Sequence, residues 1–306
     1  MTDTRPAPTP LAWLLLVTLG VIWGGSFLAI AIALDGFGPL WIAASRIGIA
    51  AVILVALAFA TGQGLPATGT RTGRRIWLHC LGMGLLSNAV PFALLSYAEQ
   101  RVSSGFAGIS MAVVPLLVLP LAHVFVPGER MTWAKTAGFA AGFAGVVLLI
   151  GPIGGGPGDA GGAARLACIA ASCCYACGAI VTRLAPRGPY LAFGAGGLLA
   201  AAAMILPVAL AVEGLPAWPG VPPLVAVLYL GVFPTAIATV MLVFVVQSAG
   251  PSFMSLVNYQ VPIWAVLLGL AVRGEELPAQ FLVALTLILG GLAGSQLAGR
   301  RRQDQR

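Results

Sequence analysis

The sequence predicts an all-α integral membrane protein, with ten transmembrane helices in two inverted five-helix repeats. Three observations carry this expectation. Charged residues make up 8% of the 306 and hydrophobic residues 59%, with a mean hydropathy of +0.98. A soluble domain carries about 25% charged residues to keep its surface wet. The apolar residues fall into ten runs of membrane-spanning length, about 20 residues for about 30 Å of hydrocarbon. Finally, landmarks of the first half recur in the second. This composition excludes a disordered chain, a collagen-like fibre and a disulfide-stapled module. The five cysteines (Cys80, Cys168, Cys173, Cys174, Cys177) lie inside apolar runs and report no redox compartment.

The first run, 11–34, is too long for a signal-peptide core and has no small-residue cleavage site before a polar segment, so it reads as a true span. Asp35-Gly36-Phe37-Gly38 ends it, and 39–60 follows with Arg46 inside. The arginine-rich segment Arg71 to Arg75 precedes 76–98, and 103–126 comes next. Pro127-Gly128-Glu129-Arg130 separates that run from 131–150, which closes a first unit of residues 1–151. The second unit, 152–306, opens on the Gly-rich stretch 151–162 and contains runs 164–184, 190–212, 223–247, 251–272 and 277–298. Its breaks are Arg187-Gly188-Pro189, Pro216 to Pro223, Gly250-Pro251 and Arg273 to Leu277. No connection is long enough for a soluble domain.

Positive charge sets the orientation. With the N-terminus inside, the inner segments hold twelve basic residues: Arg5, Arg71, Arg74, Arg75, Arg130, Lys135, Arg183, Arg187, Arg300, Arg301, Arg302 and Arg306. The outer ones hold only Arg101, Arg165 and Arg273. Both termini are therefore expected in the cytoplasm of a multi-pass protein of the inner cell membrane. Basic residues scattered over short inner loops face lipid headgroups and form no stripe for nucleic acid.

Moved by 147 positions, Gln100, Phe106 and Pro115 fall on Gln247, Phe253 and Pro262, and Gly128-Glu129 matches Gly274-Glu275 after a one-residue slip. Trp23 with Gly24-Gly25-Ser26 falls on Tyr175 with Ala176-Cys177-Gly178 at a shift of 152. Five helices per copy is an odd number, so the copies must face opposite ways. That is a recurring plan of secondary transporters, whose site lies near mid-membrane between the halves.

Ile22-Trp23-Gly24-Gly25-Ser26-Phe27, Arg46, the run Ser104 to Pro115 with Gly128-Glu129, and its second copy Ser252 to Pro262 with Gly274-Glu275 together resemble the EamA-type branch of the drug/metabolite transporter superfamily. The resemblance covers essentially the whole chain. It implies ten helices, two inverted repeats and export of small metabolites, amino acids among them. Bacterial YddG-type aromatic amino-acid exporters are similar in length and layout. Tyr175 departs from the pattern, since many members have Trp there.

The candidate cargo-binding residues are Trp23, Ser26, Met83, Asn88, Tyr97, Ser110, Tyr175, Asn258, Tyr259 and Trp264. Aromatic rings stack on apolar cargo, and hydroxyls and amides hold its polar end; ordinary helix packing competes with this reading at each position. Asn258 and Gln260 lie about 200° apart around a helix and cannot face one cavity. Polar residues at this depth, Thr235 and Thr239 included, can also bond to preceding carbonyls. Trp13, Trp41, Trp77, Trp133 and Trp218 fall near helix ends as an interfacial belt.

No carboxylate lies in mid-membrane; Glu99 and Glu213 sit at helix ends. Without a buried acid to exchange protons, facilitated diffusion or exchange is favoured. His79 is the alternative proton group, competing with a plain bond to a carbonyl. Arg46 lies about 10 Å into its span, where an arginine costs about 2.5–3.5 kcal/mol and must face protein or water. A structural pair with Glu99 or Asp35 is the preferred reading, and a clamp for a cargo carboxylate is the other. Pro91, Pro115, Pro234 and Pro262 break helical hydrogen bonds and are candidate hinges, or static kinks. Gly138-x-x-x-Gly142 and Gly290-x-x-x-Gly294 are packing ridges, within the bundle or as a homodimer contact.

The expectation is a secondary transporter exporting amino acids, including hydrophobic and aromatic ones, by alternating access, with no cofactor and no metal. A drug or nucleotide-sugar carrier is the alternative in the same fold, and a polytopic membrane enzyme the alternative in another class. Gly108-Ile109-Ser110 lacks a general-base histidine on a later helix. Cys174-x-x-Cys177 sits among alanines as small hydrophobes, and the Gly-rich stretch lacks the ending of an ATP-binding loop.

Overall fold

A computed structural model describes residues 9–151, 160–276 and 278–303. The boundary between the two expected units, at 151/152, and most of the Gly-rich stretch therefore fall outside the described residues, as do Arg5 and Arg306. Ten helical spans appear among those described: α1 (Pro10–Ala33), α2 (Pro39–Ala60), α3 (Arg71–Ala98), α4 (Ser104–Phe125), α5 (Trp133–Ile150), α6 (Ala160–Arg183), α7 (Tyr190–Glu213), α8 (Val221–Ala249), α9 (Val257–Arg273, after a single turn Pro251–Met254) and α10 (Ala279–Gln303). Eight are long and apolar enough to cross a membrane, and two shorter apolar helices complete the set.

Local chemistry explains the ends. Thr9, Thr70, Ser103 and Thr132 each accept a bond from an N–H two or three residues on, which satisfies donors that a helix start leaves free. Pro10, Pro39 and Pro222 stand in first turns, where a missing N–H costs nothing. The Arg71 to Arg75 segment, expected as a break, is instead the first turn of α3, because Thr70 caps it and its arginines project from an amphipathic end.

Glu213 at the end of α7 accepts from the N–H groups of Leu40 and Trp41 at 2.9 and 3.1 Å, capping α2 from across the chain. Glu275 likewise caps α4, accepting from the N–H groups of Ser104 and Gly105 and from the Ser104 hydroxyl at 3.0–3.1 Å. An acid at a helix start meets both the free donors and the positive dipole end. With the Arg273–Asp35 pair at 3.4 Å, these bonds hold one face of the bundle together. On the opposite face Glu129 pairs with Arg183 at 2.7 Å and with Lys135 at 3.5 Å.

Three spans change helix type where proline interrupts them. In α3 the π-helical segment Leu85–Ala89 precedes Pro91; in α8 the π-helical Val232–Ile237 contains Pro234; in α4 a 3₁₀ turn, Met111–Val113, precedes Pro115. A proline has no N–H for the carbonyl four residues back, so the helix widens or tightens locally. Pro262 lies inside α9 without such a change. The two π segments start 147 residues apart, the shift that aligns Gln100 with Gln247.

Glycines set the closest approaches. A Cβ on Gly24 would meet Trp264 Cβ at 2.5 Å, and one on Gly20 would meet Gln260 at 2.9 Å, so α1 and α9 pack backbone to backbone. Helices α5 and α10 are packed extensively on each other. Gly138 and Gly142 form the α5 side as expected, but the α10 side is Gly291, whose Cβ would run into the Gly138 carbonyl. Gly290 and Gly294 face open space. The ridge is shifted by one residue because helix rotation follows the whole contact face, including Ala284 and Ile288 against Gly145. These faces meet within one chain, so the α5 ridge is not free for a second copy.

Candidate functional site

Where α1, α2, α3, α6 and α8 converge, a cluster of aromatic and polar side chains surrounds one buried cation. Arg46, 4% exposed, directs Nε and Nη2 to the Thr235 hydroxyl at 3.2 Å each, and its guanidinium lies 3.7 Å from the Phe92 ring centre. Phe92 in turn packs against Tyr175, centroids 6.4 Å apart. Tyr175 touches both of the protein's hydrophobic clusters. Trp23 donates its indole N–H to the Pro234 carbonyl at 3.0 Å, and Tyr229 donates its hydroxyl to the Ile22 carbonyl at 3.2 Å.

The expected pairing of Arg46 with Glu99 or Asp35 does not occur. Among the described residues Arg46 forms no ion pair with a carboxylate, and Asp35 pairs with Arg273 instead. The reason is reach. Asp35 is held at the bundle face by Arg273, and the Arg46 side chain is drawn toward α8, where Thr235 and Phe92 take it. A cation over an aromatic face gains about 2 kcal/mol when desolvated, comparable with the insertion cost but without neutralising the charge. Arginine has five N–H donors, and two of them share the one hydroxyl oxygen.

The proline in α8 accounts for the position of Thr235. Pro234 cannot bond to the Leu230 carbonyl, and the Thr235 hydroxyl donates to it at 2.8 Å, five residues back in the π segment. That hydroxyl oxygen is then left to accept from Arg46. In the α3 π segment Asn88 also reaches five residues back, with its amide 3.5 Å from the Met83 carbonyl and 3.3 Å from the Met83 sulfur, but the carbonyl that Pro91 leaves free is that of Ser87. Both π segments thus present a polar side chain beside the cluster, in agreement with their frequent use at functional sites.

The other expected site residues divide. Ser26, buried, donates to the Trp23 carbonyl at 2.6 Å, so it is engaged within its own helix. Ser110 is fully buried, bonds to the Ala107 carbonyl and has its own carbonyl bonded by Ser172, which makes it a packing contact between α4 and α6. Asn258, Tyr259 and Trp264 are half-buried on α9, away from the Arg46 cluster, with Trp264 seated on Gly24. Tyr97 is 47% exposed and stands apart from the rest. His79 has its Nδ1 2.8 Å from the Val181 carbonyl, the plain alternative of its two readings.

Three members of the site carried no signal that the sequence reading used. Phe92, Tyr229 and the partner role of Thr235 are set by which face of α3 and α8 turns inward. Glu99 is the fourth surprise. Although it caps the end of α3, it is only 8% exposed and neither carboxylate oxygen has a hydrogen-bond partner. It lines a cavity of about 350 Å³ together with Asp35, Gln100, Arg273 and Glu275.

Comparison with known proteins agrees with this architecture. The profile of the EamA-like transporter family matches residues 10–151 and again 163–296. An "Uncharacterized inner membrane transporter YedA" of Escherichia coli strain K12 is 29% identical over 90% of this chain and 87% of its own. A "Probable terminal-alkyne amino-acid exporter" of Streptantibioticus cattleyicolor is 31% identical over 96% and 95%, and the "Aromatic amino acid exporter YddG" of Ancylobacter novellus is 30% identical over 92% and 95%. A solved crystal structure superposes with a TM-score of 0.68 at 26% identity, over 95% of this chain and 99% of that one. Ten apolar helices with the Trp23–Arg46 cluster at their centre are thus the fold and core of a chain that belongs to the EamA-like transporter family.

Proposed function

We propose that this protein is an inner-membrane carrier that exports small metabolites, namely amino acids with hydrophobic and aromatic ones among them, by alternating access. The observation that carries the reading is Arg46: a buried guanidinium with no carboxylate partner among the described residues, lying on the Phe92 ring, which itself packs against Tyr175. A guanidinium offers a carboxylate two parallel hydrogen bonds, and the rings offer an apolar side chain a surface to stack on. The names of two relatives, which are amino-acid exporters, support the cargo class, and YedA supports the membrane.

In this scheme residues 1–151 and 152–306 are two inverted units that rock about the cluster, with Pro91, Pro115, Pro234 and Pro262 as hinges. Both termini lie in the cytoplasm, which makes the face tied by Asp35–Arg273 the outer one. Cargo crosses by facilitated diffusion or exchange in this reading: Arg46 has no carboxylate in contact among the described residues, and the buried acid Glu99 stands at the end of α3. Purified protein in liposomes, given labelled leucine, phenylalanine or a nucleotide sugar with and without a pH gradient, tests this. Amino-acid exchange without a gradient is expected. Accumulation driven by the gradient overturns the uncoupled mechanism, and exchange of the nucleotide sugar alone overturns the cargo.

A further inference from the structure

The outer cavity is built with an excess of negative charge. Of its carboxylates, Asp35 is paired with Arg273, and Glu275 is spent on the α4 start and Ser104. Glu99 remains, buried, lining the cavity, with both oxygens unpartnered. A buried acceptor of this kind costs stability unless something satisfies it. Its charged neighbours on the packed elements are Glu275 just beyond α9, Arg46 on α2 and Arg273 at the end of α9. The thiol of Cys168 on α6 also feels its charge. Arg46 and Glu99 attract one another through the interior yet form no ion pair. Burial, and after it Glu275, hold the Glu99 carboxyl well above its ordinary range, so one buried cation and one buried acid each stand without a counter-charge among the described residues.

We propose that Glu99 binds the α-ammonium group of the cargo while Arg46 binds its α-carboxylate, so that the carrier selects zwitterions. An amino acid hydrogen-bonded at both ends places two contacts of about 2.8 Å and its own backbone between the groups; Arg46 does not line the cavity itself and lies on Phe92. The cavity beside Glu99, at about 350 Å³, lies within the range of small-molecule sites. Its surplus negative charge favours the ammonium end on the outer side, and the aromatic cluster receives the side chain further in. The inference rests on the amino-acid reading above and supplies what that reading lacks, a partner for the amine.

The test is competition against labelled leucine exchange in liposomes at pH 8. Leucinamide keeps the ammonium and lacks the carboxylate; 4-methylpentanoate keeps the carboxylate and lacks the ammonium. In the wild type each should compete at least tenfold more weakly than leucine. Glu99→Gln should weaken leucine about tenfold and leave 4-methylpentanoate unchanged, Arg46→Gln should spare leucinamide instead, and Glu99→Asp should restore part of the leucine affinity. Equal competition by leucine and 4-methylpentanoate in the wild type overturns the proposal without any variant, so a misfolded Glu99→Gln leaves it testable. It also falls if Glu99→Gln abolishes only a response to a pH gradient, which would make Glu99 a proton site. Amino-acid exchange without two-ended selectivity defeats this inference alone, whereas exchange confined to another class of metabolite defeats the amino-acid reading with it.

Discussion

Arg46 separates a structural role from a functional one. Replacing a whole buried ion pair with apolar side chains of similar volume is often neutral or stabilising by about 1–4 kcal/mol, because the cost of burying charge is removed; Arg46 bears that cost with a hydroxyl and a ring as partners, so its removal strands no carboxylate bonded to it. Arg46→Met should therefore keep or raise the melting temperature in detergent while lowering amino-acid exchange at least tenfold. Loss of folded protein with the transport rate per folded molecule intact would mark Arg46 as scaffold. Glu129 behaves differently, as a loop carboxylate with a protein-supplied cation. The hydrogen bond from Arg183, together with Lys135, holds it below its ordinary range. A carboxyl whose folded value is depressed contributes stability above its unfolded value and loses it as pH falls through the folded one. Glu129→Gln should thus melt lower than the wild type near neutral pH, and the gap should close below about pH 4.3, the ordinary glutamate value. A gap that persists unchanged into that range would show that the pair contributes nothing through charge.

Two elements depend on the absence of a side chain. Gly24 touches Trp264 closely enough that Gly24→Ala must push α1 and α9 apart, and overpacking of this kind costs about 1–3 kcal/mol. Gly290→Ala, with open space around it, should be neutral. Thermal melts of the two variants check the contrast, and equal shifts would mean that the α1–α9 contact yields. The GxxxG spacing made both helices look alike in the sequence, but spacing shows only that a smooth face exists. Which glycine meets the neighbour depends on rotation about the helix axis, which is why Gly291 replaced Gly290 and Gly294. The prolines were legible as interruptions, but the π segments and the repair of the Leu230 carbonyl by Thr235 were not, because several backbone patterns satisfy one missing N–H. Pro234→Ala returns an N–H to the Leu230 carbonyl and competes with Thr235 for it. If α8 is a hinge, the maximal exchange rate should fall severalfold with half-saturation nearly unchanged; a static kink leaves both alone.

At the scale of the whole molecule, cross-chain ties define two faces. Asp35–Arg273, Leu40–Glu213 and Ser104–Glu275 close one, while Glu129–Arg183 lies on the other. In the orientation proposed from the basic-residue count the first is the outer one. With native cysteines replaced, Ala217→Cys should label with an impermeant thiol reagent in intact cells and Ala67→Cys only after permeabilisation. The reverse result would invert the orientation and place the Glu99 cavity in the cytoplasm. The predicted spans match the ten helices to within a few residues at most ends; the exceptions are α3 and α10, where charged first or last turns extend the helix beyond the apolar run, and α9, whose first turn Pro251–Met254 is separate from the helix starting at Val257.

The number of helices, their approximate limits and their membrane setting follow from the sequence by itself. In lipid every backbone group must bond internally, so a run of some 20 apolar residues has little choice but helix, and that constraint is local. The company kept by Arg46, Thr235 and Glu99 is not local. Arg46 and Thr235 are 189 positions apart, and they meet only because glycine-lined contacts fix how far each helix turns and slides against its neighbours. Only the tertiary structure, through those contacts, could leave a buried guanidinium and a buried carboxylate each without the other.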